Sequence, residues 1–168
     1  MKAKLLIAYG YSIPVIGSIL VSVLPLWLGI VNAKSVALLF SGKPELVFAV
    51  ISVFGLVTVP FQAQILSESN EHVLPVLARS RMRKVFLAAS AFQAITILIM
   101  ALLLLWLTSV KSNLVLIGAL ELFSVALIAF EFVAMVSNGR AYAEIRENII
   151  AEVNRASRSA QQHTETIG

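Results

Sequence analysis

The chain has 168 residues, 59% of them apolar and only 13% charged, and its mean hydropathy is +0.91; soluble domains carry roughly 25% charged residues, so this is the composition of a membrane protein. It contains no Cys and no Asp, which excludes disulfides, thiolate nucleophiles and Cys-based metal sites and leaves Glu as the only acidic side chain. The net charge of +4 would point to nucleic acid in a soluble protein, but here the basic residues crowd the ends of apolar segments, where anionic lipid is the nearer partner.

Four apolar runs predict an all-α polytopic membrane protein with transmembrane helices at about residues 5–31, 46–66, 85–110 and 113–137. The first, Leu5 to Val31, carries no charge and exceeds the apolar core of a cleavable leader; it also holds Pro14 and Pro25 and lacks a convincing small-residue cleavage site. It is read as a retained first helix. The third and fourth runs are separated by Lys111 and Ser112 alone, which predicts an antiparallel helical hairpin. Residues 1–137 then form the transmembrane domain and 138–168 a cytoplasmic helical tail with a flexible end.

Orientation follows from the basic residues, which are retained on the cytoplasmic side of a span. With the N-terminus inside, the inner segments hold Lys2, Lys4, Arg79, Arg81, Arg83, Lys84, Arg140, Arg146, Arg155 and Arg158, while the outer loops hold only Lys34, Lys43 and Lys111. Both termini are therefore expected in the cytoplasm, in a multi-pass membrane protein. The aromatics give the same sense: Trp27 and Trp106 fall near the outer helix ends, and Tyr9, Tyr11 and Tyr142 toward the inner ends. Arg79, Arg81, Arg83 and Lys84 form a juxtamembrane cluster expected to rest on lipid head groups.

In lipid, helices are held together by close packing of small residues and by interhelical hydrogen bonds. Gly10, Pro14, Ser18 and Ser22 recur every four residues and give the first helix a smooth packing face, with Gly17 beside it. Pro14, Pro25 and Pro60 each remove a backbone hydrogen bond within a span. Gln62, Gln64, Ser90 and Gln93 gather toward the cytoplasmic halves, either as interhelical glue or as the lining of a hydrated vestibule.

Glu121 and Glu131 are intramembrane carboxyls, and an ionisable residue within a span is a functional candidate by default. They lie roughly 15 Å apart along the fourth helix and about 80° apart around it. No Lys, Arg or His lies within the four runs to pair with either. Each is protonated, bonded to Ser, Thr or Gln, or facing water in a cavity or at a subunit interface.

Beyond Asn138 and Gly139 the chain turns polar, yet Tyr142, Ile145, Ile149 and Val153 keep a stripe at three- and four-residue steps. This predicts an amphipathic cytoplasmic helix of about four to five turns, whose stripe must bury against the inner loop, a sister subunit or a separate soluble protein. Residues 157–168, rich in Ser, Gln and Thr, are expected to be flexible.

Catalytic motifs are missing: there is no phosphate-binding glycine loop, no GxSxG and no HExxH, and His72 and His163 both lie outside the spans. No enzyme activity, cofactor or metal is expected. Two function classes remain. In one, Glu121 and Glu131 serve a small ion or proton channel or transporter. In the other, the chain is a membrane subunit that self-associates and docks a soluble cytosolic partner through its inner loop and the Tyr142 to Val153 stripe.

The size, the four spans, the cytoplasmic termini, the basic inner loop and the helical tail resemble the KwaA-like four-span membrane subunits of the two-gene Kiwa antiphage defence system. The resemblance implies a bacterial inner-membrane homo-oligomer, a tetramer, that responds to phage infection and holds a cytosolic effector at its inner face. DNA binding would belong to that effector, and none is expected of this chain.

Overall fold

The computed structural model describes the backbone of residues 2–79 and 82–167 and the side chains of residues 12–54, 56, 59–60, 62–79 and 82–159. Among the described residues the secondary structure is helical throughout: α1 Lys2–Trp27, α2 Ala33–Phe40, α3 Pro44–Leu66, α4 Val73–Arg79, α5 Met82–Ser109 and α6 Leu114–Ile167.

Local chemistry sets the breaks. After α1 the chain turns at Gly29, whose φ of 70° suits glycine. Asn32 then caps α2, its side chain accepting from the Lys34 N–H at 3.0 Å. Gly42 turns the chain again at φ 69°, and its N–H donates to the Thr108 carbonyl at 2.9 Å, tying this turn to the end of α5. Pro44 opens α3, where a missing N–H costs nothing. Asn70 caps α4 by accepting from the N–H groups of His72 (2.9 Å) and Val73 (3.2 Å). Asn113 turns the hairpin between α5 and α6 at φ 43°, and its side chain accepts from the Leu116 N–H at 3.3 Å.

Met82–Ser109 and the helix from Leu114 are each long and apolar enough to cross a membrane. Ala33–Phe40 and Pro44–Phe54 would make a third crossing if the two, bent by 89°, act as one span. The described part of α1, Ser12–Trp27, is a shorter apolar helix. The outward faces suit lipid: Ile16, Leu20, Leu56, Leu98 and Leu102 are exposed, as are Trp27 and Trp106 near the helix ends.

Two elements, α2 and α4, stand where connecting loops were expected. The larger difference is α6, a single helix of 54 residues, roughly 80 Å long at the usual rise. It passes through Asn138 and Gly139, where the change of composition suggested a boundary, and continues through Ile167 rather than loosening at Ser157. The hydroxyls of Ser157 and Ser159 bond back to the carbonyls of Val153 (3.0 Å) and Arg155 (3.1 Å), staying inside the helix.

Helix α6 is the axis of the fold, packing against all five others. Near the hairpin, Ala37, Leu107 and Ile117 form one apolar cluster, and Val47, Leu104 and Ile128 a second below it. At the opposite, basic end, Ile65, Val73, Leu77 and Tyr142 form a third. Two glycines allow the closest approaches. A Cβ on Gly118 would stand 1.8 Å from the Ala33 carbonyl oxygen, and one on Gly17 would stand 2.8 Å from the Phe130 ring.

Candidate functional site

The face that α6 turns inward is built at alternating four- and three-residue steps: Ile117, Glu121, Ser124, Ile128, Glu131, Met135, Asn138, Tyr142, Ile145 and Ile149. Ile117 through Met135 are buried, Asn138 is half-buried, Tyr142 is buried again, and Ile145 and Ile149 are half-buried. A sustained 4-3 alternation is the spacing of a packed helical seam. It places both carboxyls on one stripe, and it makes the tail stripe a continuation, in register, of the seam inside the apolar bundle.

Glu121 is 0% and Glu131 1% exposed within the single chain. Among the described residues neither oxygen of either carboxyl has a hydrogen-bond partner, and the buried Ser124 hydroxyl beside Glu121 has none. Of the options open from sequence, a place on the subunit surface does not fit this burial: both groups face the chain's own interior. Further along the seam, the Asn138 amide donates to Gln93 Oε1 at 3.3 Å. Gln93 is buried in α5 together with Ser90, whose hydroxyl has no partner among the described residues.

At the basic end the seam meets the loop between α3 and α4. Glu68, whose side chain is 4% exposed, receives the Arg146 Nε–H at 2.8 Å. The Tyr142 hydroxyl donates to the same Oε2 at 3.1 Å, and the Asn70 backbone N–H donates to Oε1 at 2.9 Å. Burial works to raise the Glu68 carboxyl, but the Asn70 N–H, the Arg146 guanidinium and the Tyr142 hydroxyl together outweigh it and hold the group below the usual range. The Tyr142 phenol is pushed up to about 12 by burial first and then by the Glu68 carboxylate it donates to. Phe86 meets the Tyr142 ring edge-on at 5.7 Å. Around this clamp lies an open polar cavity of about 390 Å³, lined by Gln64, Ser67, Glu68, Ser69, Asn70 and Arg146.

The remaining expected residues divide as follows. Pro14, Ser18 and Ser22 are buried on the helix that seats Gly17 against Phe130 of α6. Their hydroxyls satisfy α1 itself, Ser18 bonding to the Pro14 carbonyl and Ser22 to that of Ser18 at 2.6 Å. This leaves a smooth face and, among the described residues, no interhelical bond from these serines. Gln62 is half-buried with its amide nitrogen unpartnered among the described residues, while Gln64 is exposed. Arg79 and Lys84 are exposed and Arg83 is half-buried. Tyr142, expected at a membrane interface and on a partner-docking stripe, is instead fully buried, because Glu68 supplies its hydrogen-bond acceptor and Ile65, Val73 and Leu77 its apolar surround. Ile145 and Ile149 pack on the same cluster, and Val153 stays half-exposed. The side chains of Gly10, Tyr9, Tyr11, Arg81 and His163 lie outside the described residues.

Glu68, Arg146 and Asn138 were not singled out from sequence. Glu68 is a loop residue and its helical partners lie 74 and 78 positions away, so no periodicity marks it. Asn138 occupies a seam position, and the 4-3 spacing was the signal that could have found it. Among the described residues no three metal-ligating side chains converge. No protein-family model, curated protein or solved structure matches this chain.

Proposed function

We propose that this chain is a non-enzymatic inner-membrane subunit that relays a membrane event to a cytosolic effector protein. In this reading α1, α3, α5 and α6 are four spans, with α2 folded into the outer face and both termini in the cytoplasm, a topology that the distribution of basic residues supports. The observation that carries the proposal is the continuity of α6. One helix begins at the outer hairpin, packs on every other element, and leaves the bundle in the same register.

A continuous helix transmits displacement that a hinged one would absorb. A change of bilayer packing around α1, felt at the Gly17–Phe130 contact, moves α6 as a body and loads the Glu68 clamp at the inner face. Beyond that clamp the helix stands clear, exposed from Asn154 to Ser159, and there it offers the effector an approach alongside α4 and the exposed Arg79. Burial of Tyr142, Ile145 and Ile149 against the loop supports a joint loop-and-helix docking module rather than a free helical face. The resemblance to KwaA-like subunits supplies the biological setting, a homotetramer alert to phage infection, and the subunit itself contacts lipid and protein rather than nucleic acid.

The test is purification in mild detergent from the native host, comparing the full chain with one ending at Val153, followed by native mass measurement. The reading expects a defined oligomer bearing a stoichiometric soluble protein, which rebinds the purified full chain and fails to bind the shortened one. A bare oligomer, or equal binding by both chains, would overturn it.

A further inference from the structure

The two buried carboxyls are not used by the relay just described, and they carry an inference of their own. An ionised carboxylate without a partner in a low-dielectric interior is so costly that the group takes up a neutralising ligand instead. Three ligands can do this: a basic side chain, a metal cation or a proton.

Among the described residues no basic side chain does so. The elements packed against α6 bring Lys34 from α2, Glu45 from α3, Arg79 from α4, and Arg83 and Lys84 from α5, all at helix ends, while the side chains of Lys2 and Lys4 of α1 lie outside the described residues; neither carboxyl forms an ion pair or hydrogen bond with any described one of these, or with Arg140 and Arg146 of α6 itself. A hard cation asks for six or more oxygens, or several carboxylates, at one point. Glu121 and Glu131 stand about 15 Å apart along the helix, and no cluster of ligating residues forms among the described ones. A proton needs only one carboxyl.

The seam also carries polar groups on one side of Glu131. Between the open polar cavity beside Glu68 and Arg146 and Glu131 stand the Tyr142 hydroxyl, bonded to Glu68, the hydrogen-bonded Asn138 and Gln93, and one apolar side chain, the buried Met135. Ile128 separates Glu131 from Ser124 and Glu121. At the far end, the contact of α2 with Gly118, one turn from Glu121, shuts the stripe off. Toward the basic end the stripe is thus polar but for Met135, and toward the hairpin it is closed.

We propose that the α6 seam is a proton-binding file, in which Glu131 and then Glu121 each carry an exchangeable proton loaded from the basic end of the bundle past Gln93 and Asn138. Each uptake converts one carboxylate and one proton into one carboxylic acid, so the loaded interior is uncharged.

Infrared difference spectroscopy of the full chain in lipid vesicles at neutral pH reads this directly, with deuterium oxide as the probe. The expected spectrum contains the carbonyl stretch of protonated carboxylic acid, which shifts on transfer to deuterium oxide. Part of the band is lost in Glu121→Gln and part in Glu131→Gln, and the portion assigned to Glu131 shifts first. If a Gln variant does not insert, Glu131→Asp is used: it keeps the acid and is expected to move the band rather than remove it. A native spectrum without the band, a band untouched by both Gln variants, or earlier exchange at Glu121 would overturn the proposal. None of these results depends on a soluble partner, so the relay and the proton file stand or fall separately.

Discussion

The Tyr142 hydroxyl lies 3.1 Å from Glu68 Oε2, joining the long helix to the loop between α3 and α4 at the point where α6 leaves the apolar bundle. The same oxygen takes the Arg146 guanidinium, so a single buried carboxylate holds two residues one turn apart on α6. Removing either donor leaves a buried acceptor short of a partner. Tyr142→Phe and Arg146→Ala are each expected to cost about 1–3 kcal/mol. Arg146→Ala should be the larger loss, although its partial exposure keeps it below the penalty of a fully buried pair. Amide hydrogen exchange of α4 checks this, because protection there depends on the loop remaining docked.

The clamp is bounded on both sides of neutral pH. Glu68 is held below its ordinary value, so its contribution is complete above the unfolded carboxyl value and is lost as pH falls through the lowered one. Tyr142 is raised from 10.0 to about 12, so its contribution is complete below 10 and fades as pH rises toward about 12. Exchange of α4 measured against pH should therefore show protection falling on both the acid and the alkaline limb. Glu68→Gln removes the acid limb, and Tyr142→Phe the alkaline one.

Gly118 is where the backbones of α6 and α2 approach most closely, and a methyl group has no room beside the Ala33 carbonyl. Because the obstacle is backbone rather than a flexible side chain, Gly118→Ala must push α2 away. Overpacking of this kind costs about 1–3 kcal/mol or more, visible as a lowered thermal midpoint in detergent. Gly17→Ala meets only the Phe130 ring, which can turn, and should cost less.

Ile145→Glu with Ile149→Glu places two charges on the seam where it packs against Ile65, Val73 and Leu77. Membrane insertion should be unchanged, while proteolysis within the loop between α3 and α4 should accelerate and recovery of the proposed soluble partner disappear. Unchanged recovery would detach the docking reading from this module.

Much of this fold was legible in the residues, because long uncharged runs have few alternatives to helix in lipid. The small elements were not. Helix α2 occupies 8 residues and α4 only 7, too few for periodicity to rise above composition, and each depends on an Asn cap and on packing against distant helices. The register of α6 was present in the spacing from Ile117 to Ile149. The Asn138–Gly139 pair and the change to a polar composition masked it, since glycine within a helix normally signals an end. Here packing against α5 and the loop between α3 and α4 outweighs that local preference. Glu121 and Glu131 were recognisable as the unusual residues, on one broad face of their helix; that this face is a single buried stripe required the structure, because the 80° offset of an ideal helix overstates their separation on a 3.5-residue seam.

The most direct measurement uses the absence of cysteine from the chain. Lys111→Cys, in the hairpin between α5 and α6, and Arg158→Cys, on the exposed end of α6, can each be labelled in intact cells with a membrane-impermeant maleimide. The account predicts that Lys111→Cys is labelled from outside, and that Arg158→Cys is labelled only after the membrane is opened. Labelling of Arg158→Cys in intact cells, or equal protection of both positions, would contradict a helix that crosses the membrane and carries its signal into the cytoplasm.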